Sequence, residues 1–513
     1  MAVKKIGFPG ILGGRPAGLA LLSAVLLLLS FPPFGFQFLA FFAFVPLMEA
    51  VDGKRPATAL RLGFLMGAVF FAGALYWLYT ALAVYGHIHP LLSVLLILLP
   101  FFYLALYFSL FAWLTSRCTP AEAVIMAPVY YVALECIRGT LFLGQVLHAS
   151  PAMIQIASIT GVAGVSFLVV FVNAAIRHYL WQAQRGAASP LVPLAALAVV
   201  ALNVVWGMGE ISALERAGGV PLTAALVQGN IPQDEKWDRR FQDKVMKRYL
   251  DMTREAARKK PDLIVWPEAA APFYFGSEPA YTEMLRGAVR DGGVPLLFGG
   301  MAYERGPAGE ERFYNSAYMV TPDGRESRYD KIHLVPFGEY IPFRKYFHFF
   351  TQKVTDAIAG DTTAGTSTEP LAVDGVAAGV QICYEIIFPQ GSRDFARNGA
   401  RLMVNVTNDA WYGRSAASAQ ELMALPFRAV ENRMPVLRAA NTGISAFVTA
   451  SGKIVHPTPL FETVMVTETV VIPPAGEPTF YTRHGELFAY AGVAAAVWHF
   501  IAGKMRLRLR RKP

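Results

Sequence analysis

The segment Gly379-Val-Gln-Ile-Cys-Tyr-Glu-Ile-Ile-Phe388 opens as a short apolar run and arrives at a thiol. A run of that length reads as a buried strand, and Cys383 stands at its end. Two polar residues upstream occupy comparable places. Leu263-Ile-Val-Trp-Pro-Glu268 brings a carboxylate to the end of an apolar run, and Tyr329-Asp-Lys-Ile-His-Leu-Val-Pro-Phe-Gly-Glu-Tyr340 carries Lys331. A carboxylate, an ammonium and a thiol, each at or near a strand end in one domain, are the parts of a cysteine-nucleophile acyl-transfer site.

Working outward, residues 220–470 alternate short apolar runs with loops. Strands are expected at 222–228, 263–266, 295–299, 316–321, 378–383, 402–407 and 445–450. Helices are expected at 241–259, 278–290 and 416–432, and Thr321-Pro-Asp-Gly324 is a strong turn signal. Strands alternating with helices, with hairpins among them, predict an α/β layered sandwich.

The rest of the chain is of another kind. Of 513 residues, 54% are hydrophobic and only 16% charged, against about 25% in soluble proteins. The mean hydropathy is +0.38. Acids are scarce in 1–210 and 485–503, whereas 211–484 has an ordinary soluble composition. The reading is a membrane part at 1–210, a globular domain at 211–484, and a last span with a basic tail at 485–513. A spanning helix takes roughly 20 mostly apolar residues. About eight are expected, near 17–31, 36–51, 62–84, 91–115, 121–137, 159–176, 191–208 and 487–501, the first pair being short. Lys4, Lys5, Arg15, Lys54, Arg55, Arg61, Arg117, Arg177, Arg185 and the tail fall at alternate ends of these spans. The intervening loops carry only Arg138. That asymmetry predicts cytoplasmic termini and a globular domain on the outer face.

The net charge of +9 lies largely in such flanks, so it points to anionic lipid headgroups and topology rather than to nucleic acid. Of the three cysteines, Cys118 and Cys136 lie in or beside apolar segments and read as small buried hydrophobes. No Cys-x-x-Cys pair occurs, and neither a metal nor a cofactor is expected.

A thiol needs a base or a positive field to become a nucleophile at neutral pH. Glu268 in a dry setting is the expected general base. Lys331 supplies charge where the tetrahedral oxyanion develops, with backbone N–H near Tyr384 assisting. Taken singly, each residue has a plainer reading: a core cysteine, a helix-capping glutamate, a surface lysine. Their order and spacing together resemble the nitrilase superfamily, through Trp266-Pro-Glu268, Tyr329-Asp-Lys331 with His333-Leu-Val-Pro-Phe-Gly-Glu339, and Cys383-Tyr-Glu385. With about eight spans around the domain, the resemblance is to one branch, the apolipoprotein N-acyltransferases.

That resemblance implies an αββα sandwich for 220–470. It also implies a multi-pass protein of the bacterial inner membrane with its catalytic domain in the periplasm. The donor would be a phospholipid, mainly phosphatidylethanolamine at sn-1. The acceptor would be the α-amine of a diacylglyceryl-modified cysteine at the N-terminus of an apolipoprotein. Transfer would pass through a Cys383 thioester by ping-pong kinetics, with a monomeric enzyme. Among supporting residues it implies Glu339, which orients Lys331 or shares its proton work, and Tyr384 and Glu385, which shape the nucleophile's pocket. Trp237, Trp411, Tyr412 and Phe343 would contact substrate. Read from its residues, the aromatic stretch 337–350 is either core or a flap at the lipid interface, where aromatic rings partition well. Two other classes compete. A tethered amidase would use the same triad but has no need of eight spans. A transporter would line a pathway with charge, and acids such as Glu122 and Glu135 are few in the spans.

Overall fold

Residues 220–472 place almost every apolar run in a strand, and the two-residue period of those strands explains why. In the computed structural model, which describes residues 14–509 apart from 237, 307–308, 337, 341–361 and 374, thirteen strands form two sheets. They are β1 (Val220–Gln228), β2 (Leu263–Val265), β3 (Ala271–Tyr274), β4 (Leu296–Arg305), β5 (Glu311–Val320), β6 (Glu326–Asp330), β7 (Leu371–Val373), β8 (Val376–Ile382), β9 (Leu402–Thr407), β10 (Val436–Ala440), β11 (Ala446–Val448), β12 (Ile454–Val455) and β13 (Val464–Ile472). One sheet runs β13-β1-β2-β4-β5-β6 with β3 joined to β4; the other runs β12-β11-β10-β9-β8-β7.

Alternate residues of one strand serve different layers. Ala224 and Leu226 share an inter-sheet core with Ala378, Val380, Ile382, Val404 and Val406. Their neighbours Ala225 and Val227 face the other way, against Val245, Tyr249 and Leu250 of the Gln242–Ala257 helix and Leu285 and Val289 of Pro279–Gly292. Strands buried on both faces read as continuous apolar runs, which is why they were legible. The expected helix at 416–432 divides into Ala417–Leu422 and Ala424–Asn432. Helices outside both sheets complete the αββα sandwich.

The membrane part departs from expectation in detail. Among the described residues, five helices are long and apolar enough to cross a bilayer: Pro56–Ala74, Pro90–Thr115, Pro120–Arg138, Val162–Ala183 and Leu191–Ala217. Arg15–Ser30, Gln37–Val51, Pro151–Thr160 and Leu487–Gly503 are shorter apolar helices. The span expected at 159–176 begins later, because Gly161 at φ +64° breaks the chain before Val162. Arg177, read from the sequence as a loop charge, therefore sits inside that helix, buried and paired with Glu49 at 3.0 Å and Asp52 at 2.8 Å. The Leu191–Ala217 helix runs past the boundary expected at 210. Helix packing relies on small residues. A Cβ on Gly63 would lie 2.3 Å from the Phe108 carbonyl oxygen, so only glycine permits Pro56–Ala74 to approach Pro90–Thr115 there.

The sandwich is seated on these helices through the Ala417–Asn432 region. Met423, Phe427 and Val430 join the apolar core of the helical part. The Gln420 amide accepts from Trp77 Nε1 at 3.0 Å and donates to the Ala74 carbonyl at 2.9 Å. Arg433 donates to Gln155 at 2.5 Å and Glu210 at 2.8 Å.

Candidate active site

Cys383 follows β8 and takes a left-handed backbone, φ +57°. That conformation costs a non-glycine residue about 1–3 kcal/mol and persists only when its surroundings enforce it. They do so here through two side chains. Asn405 of β9 donates its amide to the carbonyls of Gln381 and Cys383, each at 3.0 Å. Glu385 accepts from the backbone N–H of Ile382 at 2.7 Å and from those of Ile332 and His333 at 2.8 Å each. The Tyr329 hydroxyl adds a bond to the same carboxylate at 3.0 Å. Glu385 thus ties the segment carrying Lys331 to the segment carrying Cys383. Its own burial pushes its carboxyl upward, and the N–H groups of His333, Ile382 and Ile332, together with Lys331, pull it back. Tyr384 closes the same junction by donating to the Leu334 carbonyl at 2.7 Å.

Glu268 is delivered by a different device. Trp266 is fully buried, stacked on Tyr249, and its indole N–H donates to Thr253 at 2.8 Å. The turn that follows lies against Gly299 of β4, where a Cβ would come within 2.6 Å of the Glu268 Cα. Lys331 follows β6, fully buried. Its ammonium donates to Glu339 at 2.9 Å and to Glu268 at 3.4 Å. Asn315 donates to the same two carboxylate oxygens at 2.7 and 2.8 Å. Burial works against the charged lysine, but Glu268 and Glu339 outweigh it and hold its pKa well above the ordinary range. For the Cys383 thiol, burial comes first, then Glu268 and Glu421, and these raise its pKa well above normal against the pull of Lys331. Burial and the surrounding carboxylates thus favour the protonated thiol, with Glu268 the largest of the charge effects on it.

Of the remaining expected contact residues, Tyr412 packs edge-on to Trp77 of the helical part, ring centres 4.7 Å apart, and Trp411 lies 6.1 Å from Tyr85. Burial and then the charges of Cys383, Glu421, Asp409 and Glu268 raise the Tyr412 phenol, so this aromatic pair adjoins both the site and the helices. Trp237, Phe343 and most of the 337–350 stretch lie outside the described residues.

Sequence reading missed Lys236, Asn315, Asn405, Asp409, Glu421 and Arg438. Lys236 is buried and donates to the Glu268 carbonyl at 2.7 Å; burial lowers its pKa to about 8, with Glu268 and Cys383 opposing. Arg438 and Asn405 did leave a signal. Each interrupts an apolar strand, Val436-Leu-Arg-Ala-Ala440 and Leu402-Met-Val-Asn-Val-Thr407, and a polar side chain buried in a strand needs partners.

Glu385→Gln tests the clamp. An amide NH₂ would face backbone N–H groups, leaving buried donors unpaired at about 1–3 kcal/mol each. The expected result is lower thermal stability and slower alkylation of Cys383; an unchanged alkylation rate would show that Glu385 does not hold the thiol in place.

Comparison with known proteins defines the class first. A carbon-nitrogen hydrolase model matches residues 223–472, the span of the two-sheet sandwich. Among solved structures, a nitrilase-superfamily protein of Saccharomyces cerevisiae is 19% identical, covering 50% of this chain and 92% of its own at a TM-score of 0.38. An amidase from Nesterenkonia sp. is 21% identical at a TM-score of 0.37, covering 51% and 92%. The membrane part narrows the class. Residues 23–175 match the apolipoprotein N-acyltransferase N-terminal domain. The apolipoprotein N-acyltransferase of Geobacter metallireducens is 40% identical over 93% of both chains. That of Brucella suis is 34% identical over 86% of this chain and 87% of its own. The chain belongs to the apolipoprotein N-acyltransferase family.

Proposed function

We propose that this chain transfers a fatty acyl group from a phospholipid, phosphatidylethanolamine through its sn-1 ester, to the α-amine of the diacylglyceryl-cysteine that begins an apolipoprotein. Glu268 takes the Cys383 proton and the thiolate adds to the ester carbonyl. The oxyanion forms against Lys331, which Glu339 and Asn315 keep in place. Collapse expels the lysophospholipid alkoxide, which recovers the proton from Glu268, and leaves a thioester. The lipoprotein amine then adds to the thioester, Glu268 accepts the amine's proton, and the thiolate leaves and is reprotonated. Each half-reaction begins and ends with the same proton inventory, and the first product departs before the acceptor enters.

The observation that carries this reading is where the site stands. Tyr412 and Gln420 contact Trp77 and Ala74 of the helical part, so the site adjoins helices suited to a bilayer. Substrates anchored by acyl chains do not leave the membrane cheaply, since each buried CH₂ is worth about 0.8 kcal/mol. An amidase for soluble substrates gains nothing from that seat. Intact-mass measurement of the purified protein is the direct test. A fatty-acyl adduct on Cys383, released by hydroxylamine, is expected after exposure to phospholipid; turnover of small amides without such an adduct would favour the amidase.

The same reading assigns 1–210 and 485–513 to the bilayer of the bacterial inner membrane and 211–484 to its periplasmic side, in a monomer. A reporter fused after Pro513 is expected to be active in the cytoplasm, and one inserted near Ala308 outside it. The opposite pattern would overturn the sidedness.

A further inference from the structure

Behind Cys383 lies a buried group of charges that the proposed chemistry does not use. Arg438 of β10 is fully buried. One of its terminal nitrogens, Nη2, donates to Asp409 and to Glu421 at 2.9 Å each. Its Nη1 donates to the Asn405 side-chain oxygen at 2.7 Å, and its Nε to the Ile444 carbonyl at 3.1 Å. Asp409 also accepts from Thr407 at 2.8 Å. Because Arg438 occupies the oxygen of the Asn405 amide, the NH₂ of that amide must face the Gln381 and Cys383 carbonyls, to which it donates. The guanidinium thus sits two hydrogen bonds from the backbone of the strained nucleophile.

The charge count is uneven. Two carboxylates share one cation, with Arg438 and Asp409 fully buried and Glu421 only slightly exposed, and an excess buried charge is costly unless it is neutralised. We propose that Asp409, Arg438 and Glu421 form a positioning group for Cys383, one that holds a single proton between its two carboxylates and whose protonation sets how readily the thiol reacts. The inference rests on Cys383 being the nucleophile.

The surroundings agree. Burial, then Asp409, raises the Glu421 carboxyl to about 7 against the pull of Arg438, with Glu268 adding to the rise. Asp409 and Glu421 both disfavour the Cys383 thiolate. Around the thiol and this triad the other titratable groups include Glu268, Lys331, Lys236, Tyr384, Glu385 and Tyr412. The sign follows from the charges. With the shared proton present the triad is neutral and the thiolate forms more easily. As the pH rises and that proton leaves, a negative charge appears behind the sulfur and opposes thiolate formation. Thiol reactivity then climbs with pH less steeply than a single ionisation requires.

The test is alkylation of the full-length protein in detergent with iodoacetamide, read by mass on the Cys383 peptide from about pH 6 to about pH 9. Wild type is expected to show a step near neutrality, where the shared proton leaves, on a rate that is still climbing at the upper end of the range because the thiol titrates higher still. Glu421→Gln keeps the acceptor for Arg438 but cannot ionise, so that step disappears and alkylation above it rises about tenfold. Asp409→Asn is the second variant, with the same expectation, should Glu421→Gln fail to accumulate folded. Profiles that superimpose on wild type in a folded variant would overturn the inference, as would slower labelling at every pH with the step intact, which is what a purely structural role gives. The readout needs neither phospholipid nor lipoprotein, so it is independent of the acyl-transfer reading, which fails instead if no thioester forms on an unmodified Cys383.

Discussion

Cys383→Ala and Cys383→Ser are expected to reduce acyl transfer by roughly 10⁵-fold or more, the scale on which removal of a nucleophile acts in an acyl-transfer site. Alanine removes the attacking atom. Serine keeps an oxygen, but its hydroxyl is far less acidic than a thiol, and a base suited to a thiol does not ionise it. Both variants are expected to insert and fold. The restraints on residue 383 act on its carbonyl and on the N–H of Ile382, through Asn405 and Glu385, and neither involves the sulfur. The check is transfer activity in membranes, normalised to folded protein. Wild-type activity in Cys383→Ala would remove the thiol from the chemistry altogether.

The second large effect is expected at the carboxylate and ammonium that face each other. Lys331→Met removes the charge proposed to meet the oxyanion in both half-reactions, and loss of one such contact is expected to cost about 10²–10³ in rate. It also leaves Glu268 and Glu339 close together without their shared cation, and stranding buried charge costs about 3–5 kcal/mol. Glu268→Gln preserves the shape of the site, because an amide oxygen still accepts from Asn315 and Lys331, but it cannot take the thiol proton. Little acyl-enzyme is expected by mass. If Glu268→Gln formed the thioester at the wild-type rate and stalled only at the amine, Glu268 would not be the base of the first half-reaction.

The strands, the long helices and the Glu268, Lys331 and Cys383 positions were legible because each follows from local pattern. Leu263–Val265, Val376–Ile382 and Leu402–Thr407 are apolar on both faces because sheets are packed on one side and helices or a second sheet on the other. The weaker elements escaped for the converse reason. β6, with the exposed run Glu326-Ser-Arg328, lacks the apolar density that marks a strand, and in the half-buried β13 Thr467-Glu-Thr469 interrupts the apolar run. They are strands because β5 and β1 hold them in register.

The membrane part shows the same division. Hydropathy is a sum over residues and marks apolar stretches reliably, but helix ends are set by backbone geometry. Gly161 moved one start, and Arg177 moved from a presumed loop into a helix where Glu49 and Asp52 neutralise it.

By itself the sequence determined which residues stand where: a thiol, a carboxylate and an ammonium at or near strand ends in a domain joined to apolar spans. Those are one-dimensional properties, residue type and periodicity, and each is read without knowing what lies across the fold. Only the tertiary structure decided what surrounds them. Asn315 reaches Glu268 from 47 positions away, Tyr329 reaches Glu385 from 56, and Gln420 reaches Trp77 from 343. The Asp409–Arg438–Glu421 group exists only because β9, β10 and a helix meet behind the nucleophile. Contacts of that kind arise when layers pack to exclude water, and a buried polar side chain takes whatever partner the packing brings within reach.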